Sequence, residues 1–262
     1  MKSSAPEPLP LPPTEEQLTP VPTEVSFWSS TRRRRPAFLL LLGIGLILFI
    51  ALSPDDARAS LWIALEAQRG LVSLLFLFAL VTLSLIWSTG QRWDSRIFLL
   101  FNQHSYFIWL DRCMWLFTQF GNMLSAFIAA FLFFLLNDRR LAVEIVFGTL
   151  TLWLLVETIK VLAGRDRPFL AIEGTRIVGW REKGDSFPSG HTSQIFFLAT
   201  LLILRFHLSL GTGLALYALA ALVGFTRIYV GAHYPRDVLG GAVLGSIWGI
   251  LAILVNPALL AG

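Results

Sequence analysis

The chain has 262 residues, of which 55% are hydrophobic and only 15% are charged, and its mean hydropathy is +0.66. A soluble domain of this length needs more charge to cover its surface, so the composition argues against that class and indicates an integral membrane protein. The net charge of +4 owes much to the run Arg32–Arg35, which favours contact with an anionic membrane surface and not with nucleic acid.

Residues 1–36 differ in composition from everything that follows them. Prolines are dense between Pro6 and Pro22, among Glu, Thr and Ser residues and with almost no apolar clustering. Such a segment cannot bury enough surface to offset the entropy lost on ordering, so we expect a disordered cytoplasmic tail that is rich in proline and basic residues. A signal peptide is not expected, because the first apolar run begins only near Ala37 and no convincing cleavage site follows it.

Seven apolar segments have the length and composition of membrane spans. They cover residues 37–52, 71–87, 113–136, 141–162, 192–206, 210–225 and 238–255. A backbone in lipid must satisfy its own hydrogen bonds, so we predict an all-α bundle of six to seven transmembrane helices. The mixed stretch 93–110 predicts a helix that lies in the membrane interface. We therefore divide the rest of the chain into N-terminal transmembrane and interfacial helices (37–110) and a helical core (111–256).

The orientation of these spans in the membrane stays open, although a multi-pass protein of the cell (inner) membrane is expected. The Arg32–Arg35 cluster favours a cytoplasmic N-terminus, and seven spans then place the polar motifs described below on the cytoplasmic side. In that orientation the basic turn at residues 137–140 faces outward, against the same rule. The opposite orientation places that turn inside, but it carries the arginine-rich tail across the membrane.

A first polar group, Lys160 and Arg167, ends the fourth apolar segment. The two residues are seven apart, or two helical turns, so both side chains point to the same side if the helix persists. A lysine is a compact point charge, and an arginine is a planar fork that matches phosphate oxygens with two hydrogen bonds. The pair suits a phosphate group. Taken alone, however, it favours a basic helix end close to lipid headgroups.

A second group, Ser189-Gly190-His191 after Pro188, leads directly into the fifth segment. Proline and serine before an apolar run are typical of a helix start, and Gly190 allows the backbone to approach a ligand closely. The free N–H groups of a helix start bind anions, and the Ser189 hydroxyl adds a further donor. His191 then stands beside any phosphate bound there. An ordinary helix cap with an incidental histidine is the alternative.

A third group, Arg227, His233 and Asp237, lies between the sixth and seventh segments. Arg227 supplies another cation, and His233 and Asp237 are four residues apart where the last span begins. An aspartate that accepts a hydrogen bond from one ring nitrogen fixes the tautomer and makes the other nitrogen a better nucleophile. A structural His–Asp pair at the membrane interface is the alternative. Because an even number of spans separates the three groups, all of them are expected on one side of the membrane.

The pattern Lys-x6-Arg-Pro, Pro-Ser-Gly-His and Arg-x5-His-x3-Asp resembles the three-part signature of the type 2 phosphatidic acid phosphatase and vanadium haloperoxidase superfamily. The resemblance covers about residues 141–255, and the compound pattern is highly specific. The chain departs from it at Thr226, where Ser is usual, and in having one span more than the six-helix bundle common in membrane members. The threonine keeps the hydroxyl, so activity is expected to survive.

The resemblance implies a catalytic role for three residues and a phosphate-binding role for five. His233 attacks phosphorus, Asp237 orients it, and His191 protonates the leaving oxygen and then activates water. The phosphoryl group is bound by Lys160, Arg167, Ser189, Gly190 and Arg227. The cations do the work of a metal, so neither a metal nor another cofactor is expected.

The expected substrate is a lipid phosphate in the bilayer: phosphatidic acid, phosphatidylglycerophosphate or a polyprenyl diphosphate. Two alternatives use the same residues. A phosphotransferase would pass the phosphate to another lipid, and a non-catalytic carrier would only hold an anionic lipid. A haloperoxidase is disfavoured, because that activity needs bound vanadate and is usual in soluble proteins. The lipid, the facing of the site and the oligomeric state are not fixed by the sequence.

Overall fold

The computed structural model describes residues 44, 48, 62, 63, 66–85, 88–103 and 107–259. Its longer elements are α1 (Arg69–Ser84), α2 (Ser88–Asn102), α3 (Ile108–Thr118), α4 (Met123–Leu135), α5 (Arg139–Ala163), α6 (Pro168–Ala171), α7 (Gly190–Arg205), α8 (Leu210–Tyr229) and α9 (Pro235–Leu259). No strand occurs in these ranges, so the predicted all-α class is confirmed for them. The predicted tail at 1–36 and nearly all of the predicted span at 37–52 lie outside the described residues.

The apolar helices make this an integral membrane protein. Three helical stretches of the described chain are long and apolar enough to cross a membrane: Arg139–Ala171, Leu210–Tyr229 and Pro235–Val255. Two bent pairs, α1 with α2 and α3 with α4, raise this number to as many as five. The predicted fifth span forms α7, which has 16 residues and is therefore shorter than the roughly 20 that a straight crossing needs. Half of α7 is buried. Its start lies beside the last turns of α5 and α8, since a Cβ on Gly190 would lie 3.7 Å from Val156 and one on Gly224 would lie 3.3 Å from Thr192.

The predicted single span at 113–136 is broken in the structure. α3 ends at Thr118, a 3₁₀ turn covers Gln119–Gly121, and α4 starts after Asn122, with a bend of 58° between the two parts. The Asn122 side chain accepts a hydrogen bond from the backbone N–H of Leu124, which starts a new helix instead of continuing the old one. A Cβ on Gly121 would lie 2.7 Å from the carbonyl oxygen of His191, so the bend fits closely against the start of α7.

The predicted interfacial helix at 93–110 is also different in the structure. A helix is present, but it covers Ser88–Asn102, and α3 already begins at Ile108. Asp94, Phe98 and Asn102, which are four residues apart, are all buried and form one inward face. The Asn102 amide donates to the carbonyl oxygen of Tyr229 at 2.9 Å. α2 therefore packs on the helical core along this face, and its place in the membrane interface stays a prediction.

α9 packs closely against α7 through a row of glycines on its inner face. A Cβ on Gly245 would lie 2.2 Å from the Ser193 carbonyl oxygen, and one on Gly241 would lie 2.6 Å from the Ser189 carbonyl oxygen. The two backbones therefore touch where any larger residue would force them apart. This contact fixes the start of α9 beside the start of α7, and both helix starts carry predicted site residues.

Replacing Gly245 by alanine should destabilise the protein, because the new methyl group overlaps the backbone of α7. We expect a loss of about 1–3 kcal/mol in the free energy of unfolding, as for other overpacked contacts. Gly211→Ala is the matched control, since a Cβ there meets nothing within 4 Å. Thermal unfolding in detergent measures both variants. Equal effects of the two substitutions would contradict the close packing of α7 and α9.

Candidate active site

The three polar groups of the sequence meet at one end of the helical bundle. Helix ends and the turns beside them hold all of the predicted site residues: Lys160 and Arg167 at α5 and α6, Ser189, Gly190 and His191 at α7, Arg227 at α8, and His233 and Asp237 at α9. Arg167, Arg227, His233 and Asp237 are almost completely buried. Burial of so much charge at one place is expensive unless each group has a partner.

Arg167 is held by the backbone of the chain around it. Its Nε donates to the Gly184 carbonyl oxygen at 2.9 Å, and its Nη2 donates to the Lys183 carbonyl oxygen at 3.1 Å. Its Nη1 donates to the Ala232 carbonyl oxygen at 3.2 Å and lies 3.3 Å from the His233 Nε2. The Arg167 guanidinium is therefore fixed directly beside the imidazole of His233, which is the nucleophile that the family resemblance implies.

The carboxylate of Glu182 lies at the centre of the site. Its Oε2 accepts a hydrogen bond from the Arg167 Nη1 at 2.8 Å, and its Oε1 accepts one from the Arg227 Nη2. The His191 Nδ1 is 3.8 Å from Oε1, and the His233 Nε2 is 3.7 Å from Oε2. Two arginines and two histidines of the predicted site thus surround one anionic group.

The surroundings of Glu182 keep this side chain ionised. Burial alone would raise the pKa of the carboxyl, but its interactions with His233 and the positive charge of Arg227 lower the pKa well below its usual range. The arrangement therefore favours the ionised form of Glu182. A position that stabilises a carboxylate so strongly is suited to bind other anions.

The His233 ring has one nitrogen toward this position and the other toward Asp237. Its Nδ1 lies 3.7 Å from the Asp237 Oδ2, which is longer than a hydrogen bond, and 3.4 Å from the Ser186 Oγ. The Ser186 hydroxyl donates to the same Asp237 oxygen at 2.5 Å. Asp237 therefore lies on the Nδ1 side of the ring, and the Ser186 hydroxyl, which contacts both groups, can accept a hydrogen bond from the Nδ1–H.

Asp237 is itself held by a buried network of charges. The Arg165 Nη1 donates to the Asp237 Oδ1, and the Tyr234 backbone N–H donates to Oδ2 at 2.8 Å. The Arg165 Nη2 donates to the Asp94 Oδ2 at 2.5 Å, and the Arg236 Nε donates to that same oxygen at 2.6 Å. A continuous row of alternating charges thus leads from the carboxylate behind His233 to α2.

The remaining predicted cations differ in their surroundings. Lys160 forms an ion pair with Glu157, one helical turn earlier, at 2.7 Å, and does not touch the Glu182 carboxylate. The Arg227 Nη1 donates to the Thr118 Oγ1 at 2.6 Å. The break between α3 and α4 therefore begins at a residue that fixes one of the site arginines.

Ser189 acts as the cap of α7 in this structure. Its Oγ accepts hydrogen bonds from the Thr192 backbone N–H at 3.5 Å and from the Thr192 hydroxyl at 3.0 Å. Gly190 lines the cavity beside the site, and a Cβ there would meet only a Val156 methyl group, at 3.7 Å. The helix start has the predicted form, but space around Gly190 does not itself require a glycine.

A cavity of about 290 Å³ adjoins the site. Its polar wall contains Lys160, Arg167, Glu182, Lys183, His191 and Gln194, and its other wall contains Gly121, Asn122, Met123, Leu152, Trp153, Val156, Glu157 and Gly190. Trp153 and Leu124, at the outer side of α5 and α4, are exposed. The cavity therefore joins the charged groups to an apolar side of the bundle. Among the described residues, no group of three or more His, Cys, Asp or Glu side chains is arranged to hold a metal ion.

Sequence reasoning missed several members of this site. Arg165 and Ser186 lie two residues before Arg167 and Pro188 and so belong to the same segments, which is a usable signal. Glu182 is one of several charged residues in a polar loop, with no spacing that distinguishes it. Thr118 and Asp94 lie far away in the chain and reach the site only through the bend after α3 and the buried face of α2.

Residues 141–260 match the model of the PAP2 superfamily. Among curated proteins, the undecaprenyl-diphosphatase of Sulfolobus acidocaldarius is 28% identical over 132 residues, which are 49% of this chain and 62% of that protein. The lipid A 1-phosphatase of Rhizobium johnstonii is 40% identical over 74 residues, 27% of this chain and 28% of that protein. This chain therefore spans less than two thirds of the length of either relative.

Two solved structures have a similar fold. The crystal structure of Aquifex aeolicus LpxE superimposes with a TM-score of 0.54 and 28% identity, covering 61% of this chain and 93% of that one. A transmembrane PAP2 type phosphatidylglycerolphosphate phosphatase from Bacillus subtilis gives a TM-score of 0.58 with 23% identity, over 72% of this chain and 96% of that one. At that identity the second likeness concerns the fold alone.

Proposed function

We propose, on the premise that residues 141–260 form a PAP2 superfamily domain, that this protein is a membrane phosphatase that acts on lipids. The substrate is the phosphate monoester or diphosphate of a lipid such as phosphatidic acid, phosphatidylglycerophosphate or a polyprenyl diphosphate. One observation carries the proposal: two arginines and two histidines, from three distant segments, face the same buried anion position. The names of the two relatives above, a diphosphatase and a lipid A phosphatase, support the substrate class.

In the first step, the terminal phosphate of the lipid lies between Arg167 and Arg227. The His233 Nε2 attacks the terminal phosphorus, the bond from this phosphorus to the ester oxygen (or to the bridging oxygen of a diphosphate) breaks, and His191 gives its proton to that oxygen. The products are a phosphohistidine and the free lipid alcohol, or the lipid monophosphate when the substrate is a diphosphate. Asp237, through Ser186, holds the Nδ1 side of the His233 ring and stabilises its positive charge.

In the second step, His191 takes a proton from water while the water oxygen attacks the phosphohistidine. The phosphorus–nitrogen bond breaks, inorganic phosphate leaves, and the His233 nitrogen regains its lone pair. Arg167 and Arg227 stabilise the negative charge on the equatorial oxygens in both steps, with Lys160 at the edge of the same cavity. The three fixed cations supply the charge that a metal ion supplies in other phosphatases, and so the reaction is proposed to be independent of metal.

The cavity supports a lipid as the substrate and entry from the side. Beside its charged groups the cavity is lined by Trp153 of α5, an exposed apolar side chain that a chain attached to the phosphate can contact. A soluble phosphate ester has no apolar chain that could contact this part of the cavity. We place the protein in the cell (inner) membrane, where such lipids are present.

The test is the release of inorganic phosphate from each of the three lipids by the purified protein in detergent, with a chelator present. We expect release from at least one lipid at a rate that the chelator does not change. Loss of activity with the chelator would contradict metal independence. Transfer of labelled phosphate to a second lipid would instead indicate a phosphotransferase, and tight binding without turnover would indicate an anionic-lipid carrier.

A further inference from the structure

The Glu182 carboxylate occupies the position that the mechanism assigns to the substrate phosphate. It accepts hydrogen bonds from Arg167 and Arg227, and it lies within 3.8 Å of a ring nitrogen of both His191 and His233. A phosphate cannot reach these groups while the carboxylate is there. Any substrate must therefore displace Glu182 before it can react.

The Glu182 side chain is partly open to solvent, whereas the side chains of its two arginine partners are buried. It is 27% exposed, and the Arg167 and Arg227 side chains are only 1% and 4% exposed. It lies in the loop between α6 and α7, where Arg167 fixes the backbone at Lys183 and Gly184. A rotation of the Glu182 side chain would therefore clear the position while Arg167 still holds the backbone at Lys183 and Gly184.

The negative charge of a ligand decides whether that ligand can displace the Glu182 carboxylate from the two arginines. A carboxylate carries one negative charge and two oxygens, and a phosphodiester group also carries one charge on two free oxygens. A terminal phosphate carries up to two charges and three free oxygens, since its second pKa is about 6. The carboxylate is also tethered beside the arginines, and a tethered group competes at an effective concentration of about millimolar or more.

We propose that Glu182 is a specificity-determining residue that excludes phosphodiester headgroups from the site and admits lipids with a terminal phosphate. This inference rests on the proposed function. Phosphodiester lipids form most of a bilayer and surround the cavity mouth at high concentration, so a bare pair of arginines would bind them. A phosphodiester has the same charge and the same number of free oxygens as the tethered carboxylate, so it cannot displace Glu182 from the arginines. A doubly charged terminal phosphate has more charge and more hydrogen-bond acceptors than the carboxylate, and so it can.

The test compares Glu182→Gln with the wild type and with Glu173→Gln, which removes one exposed charge from the same loop. Calorimetry at pH 8 measures the binding of inorganic phosphate, and phosphatidylglycerol in mixed micelles serves as the phosphodiester inhibitor. We expect Glu182→Gln to bind phosphate at least about tenfold more tightly, because a charge-assisted competitor is gone. Phosphatidylglycerol should inhibit Glu182→Gln, but it should leave the wild type and Glu173→Gln uninhibited.

Unchanged phosphate affinity together with unchanged phosphatidylglycerol inhibition in Glu182→Gln would overturn the inference. A loss of turnover with unchanged phosphate affinity would also overturn it, since Glu182 would then act in the reaction itself. If Glu182→Gln does not fold, Glu182→Asp takes its place in the test, since it keeps the charge but shortens the side chain. Its affinity for phosphate should then lie between that of the wild type and the roughly tenfold tighter value expected for Glu182→Gln. Phosphate release by the wild type is read separately: its absence would refute the proposed function, whatever the variants bind.

Discussion

Replacing His233 by asparagine should lower the rate of phosphate release by at least about 10³-fold, as expected when an enzyme loses its nucleophile. The variant keeps a polar side chain in the buried position between Arg167 and Ser186, but it has no nitrogen that can attack phosphorus. Binding of inorganic phosphate should persist, since Arg167 and Arg227 remain. Steady-state release and calorimetry on the same preparation measure the two effects.

His207→Asn is the matched control for this substitution. His207 is exposed at the end of α7 and has a φ of 47°, a conformation that asparagine tolerates well. Its turnover should equal that of the wild type. If His233→Asn kept substantial turnover while folding normally, a different group would have to be the nucleophile.

Arg165→Met should produce the largest loss of stability among these variants. Arg165 is buried and donates to both Asp237 and Asp94, so its removal leaves two carboxylates without their shared cation. Breaking a buried ion pair on one side typically costs about 3–5 kcal/mol in the free energy of unfolding. Because Asp237 would also lose its position behind His233, turnover should fall even at temperatures where the variant stays folded.

Arg205→Met is the comparison for the Arg165 variant. Arg205 lies 3.8 Å from Asp138, with both side chains about one third exposed, and such a pair contributes about 0–1 kcal/mol. Adding Asp94→Asn to Arg165→Met should recover little stability, because Asp94 still has Arg236 as its partner and that arginine would then lose its carboxylate. Thermal unfolding of the four proteins in detergent is the measurement. Similar losses for Arg165→Met and Arg205→Met would show that the buried network contributes little.

The site residues that carry a spacing pattern were predictable from the sequence. Polar and charged side chains are expensive to place at the ends of membrane-spanning segments, so their presence there indicates a function. Five site residues meet this description: Lys160, Arg167, His191, Arg227 and His233. The number of spans between the segments also predicts that they lie on one side of the membrane. The structure brings all five to the end of the bundle where that reasoning expected them.

The partners of these residues were not predictable in the same way. Glu182 comes from a loop without periodicity, and only the folded chain shows that two arginines converge on it. Asp94 was assigned to an interfacial helix, because nothing in the sequence tells an inward carboxylate from one that faces water. The bend after Thr118 depends on the fit of Gly121 against α7, a tertiary contact that overrides the continuous apolar pattern.

The central claim is that His233 becomes covalently phosphorylated during turnover. The most direct test is to mix the protein with lipid substrate labelled in the terminal phosphate, quench within milliseconds at alkaline pH, and map the label by mass spectrometry. A phosphoryl group on a His233 ring nitrogen, absent in His233→Asn, is the predicted result. Full turnover without a labelled protein, or with the label on another residue, would contradict this account.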